Sequence, residues 1–219
     1  MGDKPLSLLW ATSIDGTSTI DDLPPLDLDV SFSDLVSTLD GAMSLHLEYH
    51  LDDWTFGFDP TYVSLEIDVG FPPIPGVTSS IDIDVEVWMV EAWSSYRFHD
   101  NWEAMGGYAI RGVDLEVNGP PSPPFPEISA DEGWTDWFVG ARYSRDLGAR
   151  WSMQWRADVV VGGDSDSSVN SLLLFNRHIG DSQALFLGYR YYTVDYEDPN
   201  TYAWDVTQEG PLIGYQWNF

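Results

Sequence analysis

Eight charged residues fall in the middle of alternating segments of this 219-residue chain: Glu48, Asp59, Glu91, Arg111, Arg142, Arg156, Asp158 and Arg190. A strand would hold each of them on its polar face. Ions out of water must pair or meet trapped water, because an unpaired buried charge is costly. Carboxylates and guanidinium groups on one enclosed face therefore make either a plug or the lining of a channel. A second set is His46-x-Glu48-x-His50, three metal-capable side chains on one strand face, read equally as a hydrogen-bonded cluster. A third set is acidic. Asp27-x-Asp29, Asp82-x-Asp84-x-Glu86 and Asp164-x-Asp166 place carboxylates within reach of one hard cation such as Ca or Mg. None has the full EF-hand pattern, so any such cation would be loosely held, and solvated surface acids are the competing reading. No other cofactor is expected.

Recognisable catalytic patterns are lacking. There is no Gly-x-Ser-x-Gly elbow, no His-Glu-x-x-His and no phosphate loop. The chain has no cysteine, which excludes disulfides and thiolate metal sites. Nine Lys and Arg stand against 36 Asp and Glu, for a formal net charge of −27. Phosphate backbones would be repelled, so nucleic acid is not an expected partner. No run of 18 apolar residues could form a membrane-crossing helix. The start, Met1-Gly2-Asp3-Lys4-Pro5, does not read as a signal peptide, and is expected to be a mature chain behind an added Met.

The elements that would position these charges are strands. Alternation predicts about ten, at 6–15, 42–51, 54–66, 81–98, 102–117, 133–146, 151–163, 168–179, 183–196 and 202–219, with eight as the alternative. Four connections are short, at 52–53, 99–101, 147–149 and 180–182. The others (16–41, 67–80, 118–132, 164–167 and 197–201) are longer or more polar. Ser33 could cap a single helical turn over Ser33–Leu39. Segment 118–127 carries five prolines and cannot join a ladder.

The two faces differ in kind. Trp151, Met153, Trp155, Ala157, Val159 and Val161 share one face of their segment, against Ser152, Gln154, Arg156 and Asp158. Bulky apolar residues opposite small and charged ones suit lipid outside and a lumen inside. Eleven Trp and eleven Tyr suit aromatic girdles at a membrane boundary. The predicted fold is all-β: one antiparallel, up-and-down transmembrane β-barrel over residues 1–219. Its short turns would be periplasmic and its long acidic loops extracellular. The basic residues lie near the short turns or mid-strand, and the long-loop end has none.

Pieces such as Gly188-Tyr189-Arg190-Tyr191, Gly210-Pro211-Leu212-Ile213-Gly214-Tyr215, Val139-Gly140-Ala141-Arg142-Tyr143 and Val30-Ser31-Phe32-Ser33-Asp34-Leu35 resemble strand and loop pieces of small outer-membrane β-barrel proteins of Gram-negative bacteria. The final strand, Tyr215-Gln216-Trp217-Asn218-Phe219, ends on an aromatic that resembles the assembly signal of that group. The resemblance implies an integral outer-membrane protein, a monomer with both termini in the periplasm. Its partners would be the lipid bilayer, lipopolysaccharide and, through Phe219, the barrel assembly machinery. The strong acidity and scarcity of Lys depart from usual members. Omptin-family proteases place His and Asp at the outer rim of such barrels. Here His46, His50, His99 and His178 all fall within strands or near short turns, so no enzymatic activity is expected.

Three functions are consistent with these features. The first is a narrow, cation-preferring passive pore, because an acidic vestibule concentrates cations. The second is a closed structural or interaction barrel, whose acidic loops hold divalent cations or a surface partner. The third is a soluble β-barrel that binds an apolar ligand.

Overall fold

The computed structural model describes residues 4–10, 12–20, 25–33, 38–70, 80–118, 128–180, 182–198 and 202–217. They contain twelve strand segments: β1 (Lys4–Trp10), β2 (Ser13–Ile20), β3 (Leu26–Val30), β4 (Leu39–Leu51), β5 (Trp54–Gly70), β6 (Ser80–His99), β7 (Trp102–Asn118), β8 (Ile128–Gly148), β9 (Trp151–Gly163), β10 (Ser167–His178), β11 (Gln183–Asp198) and β12 (Tyr202–Trp217). Sequence neighbours from β4 to β12 pair antiparallel. β1 pairs with both β12 and β4, which closes the sheet into a ring.

Twelve segments differ from the ten read in the sequence, for two reasons. The first expected strand is longer and interrupted. β1 pairs Trp10 with Leu212, and β2 resumes at Ser13 opposite Glu209 in the same register along β12. The second reason is β3, which lies in a stretch expected to be loop and folds back on β2. Its Leu-Asp-Leu-Asp-Val sequence alternates as a half-buried strand does. Other acidic stretches expected as loops are likewise strand extensions: β5 runs on to Gly70, and β8 starts as early as Ile128. Of the expected helical turn, residues 34–37 lie outside the described residues, as do 119–127 of the proline-rich segment.

The wall reverses its polarity with height. Near the short turns the outer face is apolar: Leu185, Leu187, Tyr189 and Tyr191 of β11, and Ile213, Tyr215 and Trp217 of β12, are all exposed. Further from the short turns, the same outward parity carries Thr193, Asp195 and Glu197, and Glu209, Thr207 and Asp205. The inner face changes in the opposite sense. Below, it holds Arg142, Arg156, Glu48 and Glu91, all buried. Above, Val113, Trp134, Tyr192, Val194, Tyr196, Tyr202, Trp204 and Val206 form one buried cluster, with Trp10, Ile14 and Leu28 packed against it. The barrel is built like a membrane protein at the short-turn end and like a water-soluble one at the other.

Register sets acids opposite acids on the upper exterior. Asp195 faces Asp205 across β11–β12. Glu86 faces Asp114, and Asp114 faces Asp131. Like charges directly opposite are destabilising. Partial burial, then Asp205, Asp166 and Glu197, push the Asp195 carboxyl above its ordinary range. Partial burial, then Asp131, Glu86 and Glu116, do the same to Asp114. A carboxyl raised in the folded state binds a proton that the unfolded chain has already lost. Stability from these groups therefore grows as pH falls from neutral through the raised values, and is complete below the ordinary value of about 4. Thermal unfolding between pH 7 and pH 5 is expected to shift to higher temperature on acidification. Asp195→Asn is expected to raise the neutral-pH transition and flatten that dependence. A lower transition in Asp195→Asn at neutral pH would contradict the repulsion account.

Candidate functional site

The lower lumen is organised around Trp93, on the inner face of β6. Its ring occupies the space where a side chain on Gly57 of the neighbouring β5 would stand; a Cβ there would lie 1.9 Å from the ring. Glycine at 57 is therefore required by this close approach. Trp93 Nε1 donates to Asp59 Oδ2 at 2.7 Å. The His46 ring stacks against it at 6.0 Å, and the Arg142 guanidinium lies over it at 4.8 Å. Strand register brings these groups together from four different strands.

All eight mid-strand charges singled out in the sequence join one inward-facing network. Arg142 Nη2 donates to Glu48 Oε1 at 2.7 Å. Glu48 also lies 3.0 Å from His46 Nε2 and 3.3 Å from His50 Nε2. His46 Nδ1 pairs with Asp59, which Arg156 Nη1 approaches at 3.5 Å. Arg156 is the centre of the belt: its Nε donates to Asp158 at 2.6 Å and its Nη2 to Glu91 at 2.9 Å. Arg111 lies 3.9 Å from Glu91 and pairs with Asp136. Asn170 donates to Asp158 at 2.9 Å and accepts from Arg190 Nε at 2.9 Å.

Several members were not identified from the sequence. Asp136 also accepts from the Ser165 backbone N–H and hydroxyl at 2.9 and 2.8 Å. Glu103 accepts from Ser95 at 2.6 Å and lies 3.5 Å from Arg142 Nη1. Trp93 has the same strand parity as Glu91, and Glu103 the same as Arg111, so alternation placed both on the inner face. Their roles depend on cross-strand partners, which alternation does not supply.

His46-x-Glu48-x-His50 is a hydrogen-bonded and ion-paired cluster, His50 Nδ1 sharing a further 3.0 Å bond with Thr55 Oγ1. The acidic metal candidates are dispersed. Asp82, Asp84 and Glu86 alternate along the outer face of β6, and Asp27 and Asp29 along β3. Asp164 accepts from Thr135 N and Oγ1 at 2.8 and 2.9 Å, while Asp166 donates its backbone N–H to Asp195 O at 2.9 Å. Among the described residues, no three ligand-type side chains are grouped to hold a metal ion. Phe219, the expected assembly signal, lies outside the described residues.

Beneath the aromatic cluster and the Arg156 belt lies a cavity of about 440 Å³. Its lining runs from Asp100, Asn101 and Arg145 beside the short turns up to Glu91 and Arg190. At its mouth Ser152 Oγ and His178 Nε2 share a 3.1 Å hydrogen bond.

A strand ring with an apolar lower exterior and a charged lower lumen has the fold of the outer-membrane β-barrel proteins of Gram-negative bacteria. Solved structures agree. The outer membrane protease OmpT from Escherichia coli matches with a TM-score of 0.62 at 8% identity, over 100% of this chain and 97% of that one. The translocator domain of the autotransporter NalP from Neisseria meningitidis matches with a TM-score of 0.54 at 10% identity, over 100% of this chain and 89% of that one. At these identities the likeness is one of fold. No protein family and no curated protein matches the sequence.

Proposed function

We propose that the protein is an integral outer-membrane barrel with a closed lumen, acting as a surface-exposed interaction scaffold rather than as a pore. The observation that carries this reading is the stacked closure of the lumen. Eight buried apolar and aromatic residues fill its upper part. The Arg156 belt spans the level beneath. A cation crossing the barrel would have to displace both.

The exterior supports membrane insertion. On β9 the outward series runs from Trp151 to Val161, both exposed. Ten residue steps of about 3.3 Å, tilted by about 40°, give an apolar height of ~25 Å, which matches the band of outer-membrane barrels. With the short turns in the periplasm, the acidic extensions stand outside the cell. There they suit polysaccharide bridged by divalent cations, or a basic partner. They disfavour direct contact with lipopolysaccharide phosphates and with nucleic acid. The proposed protein is a monomer, delivered by the assembly machinery through its C-terminal strand. We assign it no catalytic role: His46 and His50 belong to the lower network, and His99 and His178 stand at the short-turn ends of β6 and β10, so none is at the outer rim.

Single-channel recording in planar bilayers tests this. Protein whose folding is verified by heat-modifiable gel migration is expected to give no steps. Discrete, reproducible conductance from wild-type protein would overturn the closed-lumen reading.

A further inference from the structure

The geometry points to the lower lumen as a binding site for a small amphipathic monoanion, a carboxylate on a short alkyl chain, entering from the short-turn end.

Charge distribution is the first reason. The protein carries −27 overall, yet five of its nine Lys and Arg line this cavity (Arg97, Arg142, Arg145, Arg156 and Arg190) against five carboxylates (Glu48, Asp59, Glu91, Asp100 and Asp146), so the lining is formally balanced where the rest of the chain is strongly acidic. Arg97 and Arg145 share the mouth with Asp100 and Asp146, so an anion arriving there meets a balanced rim rather than the surplus acid of the strand extensions.

The second reason is Arg190. Among the described residues, Arg97, Arg111, Arg142 and Arg156 each lie within ion-pair distance of a carboxylate. Arg190 does not. Its Nε is committed to Asn170 at 2.9 Å. Its guanidinium lies over Trp10 at 4.9 Å and Tyr192 at 5.6 Å. The group is thus fixed in place on the cavity wall, where its charge also acts on Glu91. A guanidinium edge pairs well with the two oxygens of a carboxylate. Glu91 and Asp158, buried in the same belt, would repel a second negative charge. That favours a carboxylate over a dianionic phosphate.

The third reason is the wall between the mouth and Arg190. Leu172, Leu174, Phe186 and Leu212 line it, and Leu174, Phe186 and Leu212 form a buried cluster of their own. An alkyl chain laid along this wall leaves water while its head reaches Arg190. The volume of about 440 Å³ falls within the range of small-molecule sites, about 300–1,000 Å³.

The test is calorimetric titration of octanoate into the full chain in lipid nanodiscs, with empty nanodiscs as the blank. Octan-1-ol and octylammonium are titrated in parallel. Saturable binding of one octanoate per barrel is expected, with the alcohol and the ammonium at least tenfold weaker. Arg190→Gln is expected to weaken octanoate at least tenfold, and Leu174→Trp to abolish binding by filling the cavity. Arg177→Gln, whose arginine lies over Trp151 outside the cavity, is expected to stay within twofold of wild type. Heat-modifiable migration verifies each variant's fold, and the comparison of three ligands on wild-type protein needs no variant. Three results would each overturn the proposal: no saturable octanoate binding by wild type, equal binding of the three head groups, or unchanged affinity in folded Arg190→Gln.

Discussion

Arg156→Ala is expected to lower the unfolding free energy by about 3–5 kcal/mol, the cost of leaving buried charges without their partner. Among the described residues, Arg156 is the one side chain within ion-pair distance of three carboxylates, the buried Glu91 and Asp158 and the half-buried Asp59. Truncation would leave Asp158 with Asn170, Glu91 with an Arg111 that is 3.9 Å away, and Asp59 with His46 and Trp93. Two of the three would thus lose their closest cation in a space with little water. Arg190→Ala breaks no close ion pair, removing an amide contact, two ring faces and a longer-range attraction to Glu91, and is expected to cost much less. Urea unfolding of the two variants in lipid vesicles, followed by tryptophan fluorescence, makes the comparison. Equal and small losses would show that the belt contributes little to stability and that water replaces Arg156 readily.

Trp134→Ala is expected to cost about 3–5 kcal/mol, as truncation of a buried tryptophan does. The loss should be confined to the upper half of the barrel. Trp134 stacks on Tyr196 with ring centres 4.6 Å apart and an interplanar angle of 11°. Tyr196 in turn touches Tyr202, and Tyr202 touches Trp204, so one ring begins a series that ties β8 to β11 and β12. Removing it should open the upper extensions to protease while the lower apolar band stays folded. Conductance should remain absent, because the Arg156 belt closes the level below. Trp134→Phe keeps a ring in the stack and should cost far less. Limited proteolysis from the outer side, with a heat-modifiability gel on the same samples, separates local fraying from global unfolding. Steps of current from Trp134→Ala would mean that the aromatic cluster alone seals the lumen.

Much of this was legible before any coordinates. Alternation placed Trp151, Trp155, Val159 and Val161 on one face and Arg156 and Asp158 on the other, and the burial of β9 follows that division. The short connections near 52–53, 99–101 and 147–149 also lie where strands turn. Reading the acidic stretches as loops was the main error. In β11 and β12, Asp195 and Asp205 keep the outward parity of Leu187 and Ile213, while Tyr192, Tyr196 and Trp204 keep the inward parity of Arg190 and Gln216. The inversion was therefore written in the alternation, but local parity does not say at which height the apolar face turns inward.

The sequence by itself determined the strands, the parity of each side chain and the surplus of acid, because period-two alternation and charge are local properties. Tertiary structure decided which parity faces inward at each height, and which ions meet. Arg142 finds Glu48 from 94 positions away, and Trp93 fits against Gly57 only because β5 and β6 pair in one register. A charge on a strand face has many candidate partners along the chain. Only the closure of the sheet and its register bring one of them within hydrogen-bonding distance, and leave Arg190 without a carboxylate beside an apolar wall.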